Sequence, residues 1–376
     1  MIFDLFVAAI TSVLLVFALV AILNTFTFPR LNELDSIRSS VVSSALPAVS
    51  VCIPARNESA VIAETIRAWL RQDYPAFEIL LLDDHSDDGT AQIARHAAQG
   101  DRRLRIIEGQ PLPLGWKGKN WACHQLSQHA SGEILIFTDA DVRWQPGALS
   151  SVVTHFRMTR ADLLTIWPTQ QTVTWGERLV VPLMALTIMA YLPILAVHYV
   201  PWSIFAAANG QCLVFNRVAY DKVGGHLAVK NNIVEDMGFA YSIKKQKMRL
   251  RMADGSGLII TRMYRNWRET RDGFAKNILG GHANSVPFLI FSTLFHWAIF
   301  IFPVFWFIFS PSRAPLLLFV LGILIRALTA AATRQRIADA LFMPLSAMLM
   351  TLVVARALQW HFGSGPQWKG RNYARS

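Results

Sequence analysis

Residues Gly132–Trp144 read GEILIFTDADVRW: a continuous apolar run that stops at two carboxylates, Asp139 and Asp141, with one alanine between them. An uninterrupted Ile-Leu-Ile-Phe run suits a strand covered on both faces, as in a parallel sheet. The D-x-D that follows reads either as a surface turn or as a site for a divalent cation. The segments around it decide between the two.

VSVCIP (Val49–Pro54) and EILLLDDHS (Glu78–Ser86) are continuous apolar strands of the same kind, and a further strand is expected at Leu104–Ile107. Helical patterns separate them. ESAVIAETIRAWLRQ puts Ile62, Ile66, Trp69 and Leu70 on one face, with Asn57 or Ser59 available as N-cap. GTAQIARHAAQ and a segment near Asn120–Ala130 supply two more helices. Buried strands alternating with helices define an α/β domain with a mainly parallel sheet. Ligands of such sheets bind at the carboxyl ends of the strands. The polar segments PARNE, DDHSDD and TDAD fall at those ends, which favours the cation site over the turn. Neither G-x-G-x-x-G after the first strand nor G-x-x-x-x-G-K-[ST] occurs, so dinucleotide and P-loop readings lack support.

The 376 residues are 53% hydrophobic and 16% charged, with a mean hydropathy of +0.33, too apolar for an ordinary soluble protein. Leu5–Phe28 runs without a charge, enough to cross roughly 30 Å of hydrocarbon. It has no basic start and no A-x-A site, so it reads as an anchor. Asp4 precedes it while Arg30 and Arg38 follow, which places the chain after Phe28 in the cytoplasm. The expected order is an anchor (1–28), a linker (29–48), the α/β domain (49–284), a membrane region (285–362) and a basic tail (363–376). Val286–Phe309 and Pro315–Thr333 read as spans, and Leu341–Phe362 is a third candidate that contains Arg356. Counting all three puts the basic tail outside, against the positive-inside rule. Residues 179–202 are also apolar, but Pro182, Pro193 and Pro201 interrupt them. One crossing there would separate Asp139 from Glu235 and Asp236, so an interfacial or re-entrant segment is expected. The net charge of +11 comes without a zinc spacing or recognition-helix pattern, so the expected partner is anionic lipid and not nucleic acid. Cys52, Cys123 and Cys212 form no disulfide framework and fit a reducing compartment.

Carboxylates at 139 and 141 can hold Mg²⁺ or Mn²⁺ through oxygen, and the ion would offset the charge of a leaving diphosphate. Asp83 or Asp84 can accept a base N–H or a ribose hydroxyl, or simply form an Asp-rich turn. Within PARNE, Pro54 and Ala55 can present backbone to a flat base, Arg56 lies in the same segment, and Glu58 can reach a ribose. Asn57 and Glu58 serve equally well as helix-start residues. Lys119, in GWKGKNWA, either adds charge beside the diphosphate or is solvated. Glu235 and Asp236 open a helix pattern, where acids are common, and one of the pair can act as general base toward an acceptor hydroxyl. Asn209, Gly210 and Gln211 form either a pocket wall or a tight turn. The histidines show no metal-ligand spacing, and no Ser/His/Asp or Cys/His arrangement is evident.

In this order, PARNE, LLDDHSDDGT, LPLGWKGKNWA, TDAD and VEDMGFA resemble the motifs of membrane-associated family-2 glycosyltransferases. The resemblance covers roughly Val49–Asn284, and WKGRNY is similar to the tails of bacterial lipid-modifying members. Hopanoid-associated and carotenoid (diaponeurosporenoate) glycosyltransferases belong to the subgroup it is most similar to. It implies the GT-A fold, a Rossmann-like nucleotide-diphospho-sugar transferase domain, between an N-terminal anchor and C-terminal transmembrane helices. It implies a nucleotide-diphosphate sugar donor, UDP-sugar foremost, a lipid acceptor, and a bacterial-type inner membrane with the catalytic domain facing the cytoplasm. Asp139 and Asp141 would take the metal–diphosphate role, Asp84 with Asp83 the nucleoside role, and Asp236 that of the base in an inverting displacement. Pro54, Ala55, Arg56, Glu58, Lys119, Asn209, Gly210 and Glu235 complete the expected donor site. Processive members carry Q-x-x-R-W after the base. The comparable MYRNWRETRDGF has no exact match, which favours transfer of a single sugar. The competing readings are a processive polysaccharide or polyprenyl-phosphate glycosyltransferase and a non-catalytic membrane nucleotide-sensing subunit.

Overall fold

The computed structural model describes residues 1–31, 46–363, 365, 367–368 and 371–372, so most of the linker and of the basic tail lies outside the described residues. The chain divides into two compact units.

The first unit, Phe28–Thr169 with Ala196–Arg262, is built on a seven-stranded sheet. Its strands are β1 (Val49–Ala55), β2 (Phe77–Asp83), β3 (Leu104–Glu108), β4 (Ile134–Thr138), β5 (Leu163–Trp167), β6 (Cys212–Asn216) and β7 (Leu250–Asp254). Across the sheet they lie in the order β3-β2-β1-β4-β6-β5-β7. The first four are parallel: Val51 pairs with Ile79 on one side and Ile136 on the other. Helices cover both faces, which is why these strands carry unbroken apolar runs. Trp69, on the helix Ile62–Leu70, lies 4.4 Å from Trp144, ring centre to ring centre, in a core that includes Ile53, Ile66, Leu81 and Val152.

The second half of the sheet departs from the parallel expectation. β6 runs antiparallel to both β4 and β5, with Thr138 opposite Cys212. Its amino end therefore meets the carboxyl end of β4. This reversal delivers Asn209–Gln211 to the edge where β1, β2 and β4 end.

The second unit comprises Met1–Thr27, Gln170–Leu195 and Met263–Ser376. Among the described residues, four helices are long and apolar enough to cross a membrane: Ile2–Thr27, Val286–Phe309, Arg313–Ala332 and Ile337–Phe362. The proline-interrupted segment is not one of them. It forms short pieces, Trp175–Val180, Leu183–Leu186, a π-helical turn Thr187–Tyr191 and Ile194–Tyr199. Broken backbone leaves carbonyls and amides without helical partners, and within apolar surroundings these must be satisfied by other groups. Asn24 does this from inside the first helix. Its amide donates to Met189 O at 3.0 Å and to Leu192 O at 2.8 Å, and its oxygen accepts from Ile194 N at 3.0 Å. Only 1% of Asn24 is exposed. Asn24→Leu is expected to cost about 2 kcal/mol of stability by stranding these groups. Unfolding of the purified protein in detergent measures it, and an unchanged midpoint would refute the role.

Candidate active site

Strand β4 ends in a tight turn. Val142 N donates to Asp139 O at 3.2 Å, and Val142–Trp144 pairs antiparallel with Ile259–Thr261. The buried Thr65 hydroxyl donates to Ala140 O at 2.6 Å, which pins the residue between the two aspartates. Thr138 Oγ1 donates to Gln211 O at 3.0 Å and accepts from Trp144 Nε1 at 3.3 Å. The D-x-D is thus fixed at its backbone from both sides, while the Asp139 side chain stays 30% exposed.

Four of the expected residues converge beside Asp139. Lys119 Nζ lies 2.7 Å from Asp139 Oδ1 and 2.9 Å from Glu235 Oε1, and it donates to Gly210 O at 3.1 Å. Gly210 N donates in turn to Asp236 Oδ2 at 2.6 Å, and Met237 N donates to Asp236 Oδ1 at 2.8 Å. Gly210 is closely approached. A Cβ there would lie 3.1 Å from Glu235 Oε1 and 3.2 Å from Asp236 Oδ2. Asn209 shapes this turn: its N–H donates to Thr165 Oγ1 at 2.8 Å, and its Oδ1 accepts from Gln211 N at 3.0 Å.

The charges of this cluster act on one another. Burial opposes the Lys119 ammonium, but the Asp139 and Glu235 carboxylates outweigh it and hold the pKa well above the usual lysine value. Burial, and after it the Glu235 charge, raise Asp236 to about 7, against the pull of Lys119 and two backbone N–H donors. Two adjacent acids on the first turn of the helix Glu235–Lys245 thereby differ in role. Glu235 anchors the lysine, while Asp236 sits near neutrality.

Asn120 is a positioning residue absent from the sequence-based set. It is 1% exposed, and its amide donates to Val229 O at 2.8 Å and Asn232 O at 2.9 Å, with Lys230 O at 3.2 Å. These carbonyls belong to the loop that leads into Glu235. The adjacent Lys119 and Asn120 therefore hold the acidic helix by the Glu235 side chain and the loop before it by its backbone.

The other expected residues gather at the neighbouring ends of β1 and β2. Asp84 N donates to Ala55 O at 2.8 Å, and Arg56 Nη1 donates to Asp84 O at 2.5 Å. Asp83 Oδ1 is buried without a hydrogen-bond partner among the described residues. The helix after β1 does not start at Asn57 or Ser59. It begins at Ile62, because Asn57 N, Glu58 N and Ser59 N donate to Ser86 Oγ, Thr90 Oγ1 and Asp88 Oδ2. PARNE is thereby stitched to the DDHSDD loop, with Asn57 in the left-handed region at φ 52°.

Residues 50–223 match the profile described as glycosyl transferase family 2. The chain carries a family-2 glycosyltransferase domain and is a transferase. It is 23% identical over 268 residues to a 4,4'-diaponeurosporenoate glycosyltransferase of Staphylococcus aureus (strain USA300), an alignment covering 68% of this chain and 67% of that one. A protein of the same name from Staphylococcus haemolyticus (strain JCSC1435) is 25% identical over 251 residues, 64% of each chain. A mannosyltransferase from Pyrobaculum calidifontis, solved in complex with GDP-Man and Mn²⁺, superposes with a TM-score of 0.59 at 18% identity. That match covers 94% of this chain and 97% of the other, and it shows the GT-A fold.

The Asp236 carboxyl is protonated below about pH 7, so a rate that needs it ionised rises through neutrality. Because its pKa is raised on folding, stability is fully present below the ordinary aspartate value of 3.8 and declines as pH climbs through about 7. Glu235→Gln removes the like charge and should shift the acidic limb of kcat/KM to lower pH. A limb that stays in place would show that Glu235 does not tune Asp236.

Proposed function

We propose that this transferase moves a single sugar from a nucleotide-diphosphate sugar, UDP-sugar foremost, to a lipid hydroxyl or carboxylate at the cytoplasmic face of a bacterial-type inner membrane, with inversion. The observation that carries this reading is Asp236. Raised to about 7 and oriented by Gly210 N and Met237 N, it can take a proton at neutral pH beside a cationic, carboxylate-bearing strand edge. An acceptor hydroxyl attacking the anomeric carbon would give its proton to Asp236 as the bond to the diphosphate breaks; an acceptor carboxylate, already ionised, would attack without that transfer. Lys119 would offset charge on the departing diphosphate. Asp83, Asp84, Pro54, Ala55, Arg56 and Glu58 are assigned to the nucleoside. Relatives named for diaponeurosporenoate favour a lipid-like acceptor.

No group of three or more His, Cys, Asp or Glu side chains ready to hold a metal occurs among the described residues. The donors that the D-x-D offers are carboxylate oxygens from two residues. This set suits a hard cation that completes its shell with phosphate and water. Asp139 and Asp141 would hold Mg²⁺ or Mn²⁺, which supplies charge neutralisation for the leaving group when bound. The absence of Q-x-x-R-W favours single-sugar transfer. In its place Asn266 Oδ1 accepts from Glu269 N at 2.9 Å, so the segment starts a helix, Trp267–Gly281.

The same helix bears on topology. Ala275, Val353, Ala357 and Trp360 form one cluster, flanked by Trp267, Phe274, Ile278 and Met350, and Arg356 Nε meets Asp272 Oδ1 at 3.3 Å. Trp267–Gly281 carries Arg268, Glu269, Arg271 and Asp272, too polar for hydrocarbon. Near the other end of Ile337–Phe362, Arg178 pairs with Asp339, and Trp175 lies 5.6 Å from Phe342. Both ends of this last helix thus meet segments that border the catalytic unit in sequence. We infer that it lies along the membrane face and leaves the basic tail on the cytoplasmic side, as the positive-inside rule requires.

Asp236→Asn should lower kcat about 10²–10⁴-fold with UDP binding retained. The paired Asp139→Ala/Asp141→Ala variant should lose metal-dependent transfer to a lipid extract. Full activity in either variant refutes the corresponding role. A reporter fused after Ser376 should be active as a cytoplasmic fusion and silent as an exported one; the reverse pattern would make the last helix a span.

A further inference from the structure

Arg326 stands within the apolar helix Arg313–Ala332, six positions before its end, roughly 9 Å of helix rise. It is 1% exposed, and its Nε and Nη1 are buried without a hydrogen-bond partner among the described residues. A guanidinium does not shed its proton, so burial cannot neutralise it. The groups that act on it electrostatically are Asp339 and Tyr191. Asp339 is already engaged: Arg178 Nε donates to its Oδ2 at 2.9 Å, and Arg178 Nη2 pairs with its Oδ1. Two guanidiniums thus compete for one carboxylate, and one positive charge is left over. Tyr191 adds a second unanswered donor. Its hydroxyl is buried without a partner among the described residues, and Phe17 stacks on its ring at 4.2 Å.

A buried charge without a partner is strongly unfavourable, and in an apolar helix it marks a functional site. Tyr191 packs against an apolar cluster that includes Ile325, the residue before Arg326, together with Leu186, Ala190, Leu321, Leu328 and Met343. The helical unit therefore places cationic and hydroxyl donors beside an apolar cluster suited to alkyl chains. We propose that Arg326 and Tyr191 bind the oxyanion of a lipid, a carboxylate or a phosphate carried on an apolar tail. A carboxylate or phosphate supplies the missing negative charge and accepts from both nitrogens and the phenol. Its tail replaces no polar contact. The site assigns a lipid-anion function to the helical unit, independent of the chemistry at Asp236.

The test is ligand binding by the full-length protein, delipidated in a neutral maltoside detergent, read by native mass spectrometry and by thermal shift. Oleate, dioleoyl phosphatidylglycerol and inorganic phosphate are the anionic probes; oleyl alcohol and dioleoylglycerol are their neutral counterparts. Oleate or phosphatidylglycerol should bind at least tenfold more tightly than its neutral counterpart. Arg326→Met should abolish that preference, and Tyr191→Phe should weaken it severalfold. Preference for oleate points to a carboxylated lipid, and preference for phosphatidylglycerol to a membrane phospholipid. Without ligand, Arg326→Met should be at least as stable as the parent, since it removes a buried charge. Equal binding of charged and neutral probes, an unchanged preference in Arg326→Met, or inorganic phosphate matching the lipids would overturn the proposal. So would unfolding of Arg326→Met in ligand-free detergent, which would mean that the charge is satisfied within the chain. Arg326→Lys, which keeps the charge, should retain part of the preference.

Discussion

The Lys119 ammonium is the interaction on which the site depends. It joins three segments distant in sequence: the turn after β4 through Asp139, the amino end of β6 through Gly210, and the helix Glu235–Lys245 through Glu235. Without a cation between them, Asp139, Glu235 and Asp236 would face each other as like charges in a partly buried place, where repulsion is strong. With it, Asp139 and Glu235 are each paired to the ammonium, and Asp236 is raised to about 7. The lysine side chain is 36% exposed, so it remains open to a ligand while holding its neighbours. A diphosphate arriving at this edge would meet an ammonium already oriented by the protein.

Backbone geometry makes that meeting possible. Parallel strands β1, β2 and β4 end at one edge, and the antiparallel β6 begins there. A purely parallel sheet would start β6 at the opposite edge and carry Asn209–Gln211 away from Asp139. Gly210 then lies against two carboxylates and an ammonium, which a Cβ would press aside by a few tenths of an ångström. The reversal of a single strand and the lack of a single Cβ thus set the separation between the candidate base and the D-x-D edge.

Much of this was legible in the sequence, and the rest was hidden for physical reasons. Unbroken apolar runs before PARNE, DDHSDD and TDAD revealed the strands and the edge, because burial on both faces leaves a pattern that needs no partner to be read. The direction of β6 left no such trace, since CLVFN is equally apolar in either orientation. Asn120 and Thr65 were missed because their function lies in hydrogen bonds to distant carbonyls, which local spacing does not encode. Asn57 was misread as a cap for a related reason: its Oδ1 accepts from Asp87 N, and the Ser59 amide it would have capped donates to Asp88, in a loop some thirty positions away. In the helical unit, Asn24 and Arg326 were visible only as polar letters in apolar runs. Polar residues in such a setting carry information because every one of them needs an answer. For Asn24 the chain supplies the answer in the broken segment after Thr187.

The two acids that open the helix at Glu235 show how adjacency can divide labour. Successive residues on a helix point in different directions, so the neighbours cannot share the lysine equally. Glu235 takes it, and Asp236 is left with two backbone N–H donors, burial and a nearby negative charge. Those influences oppose one another and settle near neutrality, where a carboxylate is basic enough to accept a proton and still ionises in part. Substrate charge would act on the same balance. Phosphates near Lys119 would draw on the ammonium that now lowers the Asp236 pKa, and a divalent cation at the D-x-D would restore positive charge. The basicity of Asp236 would then depend on how much positive charge remains beside it once a donor is in place.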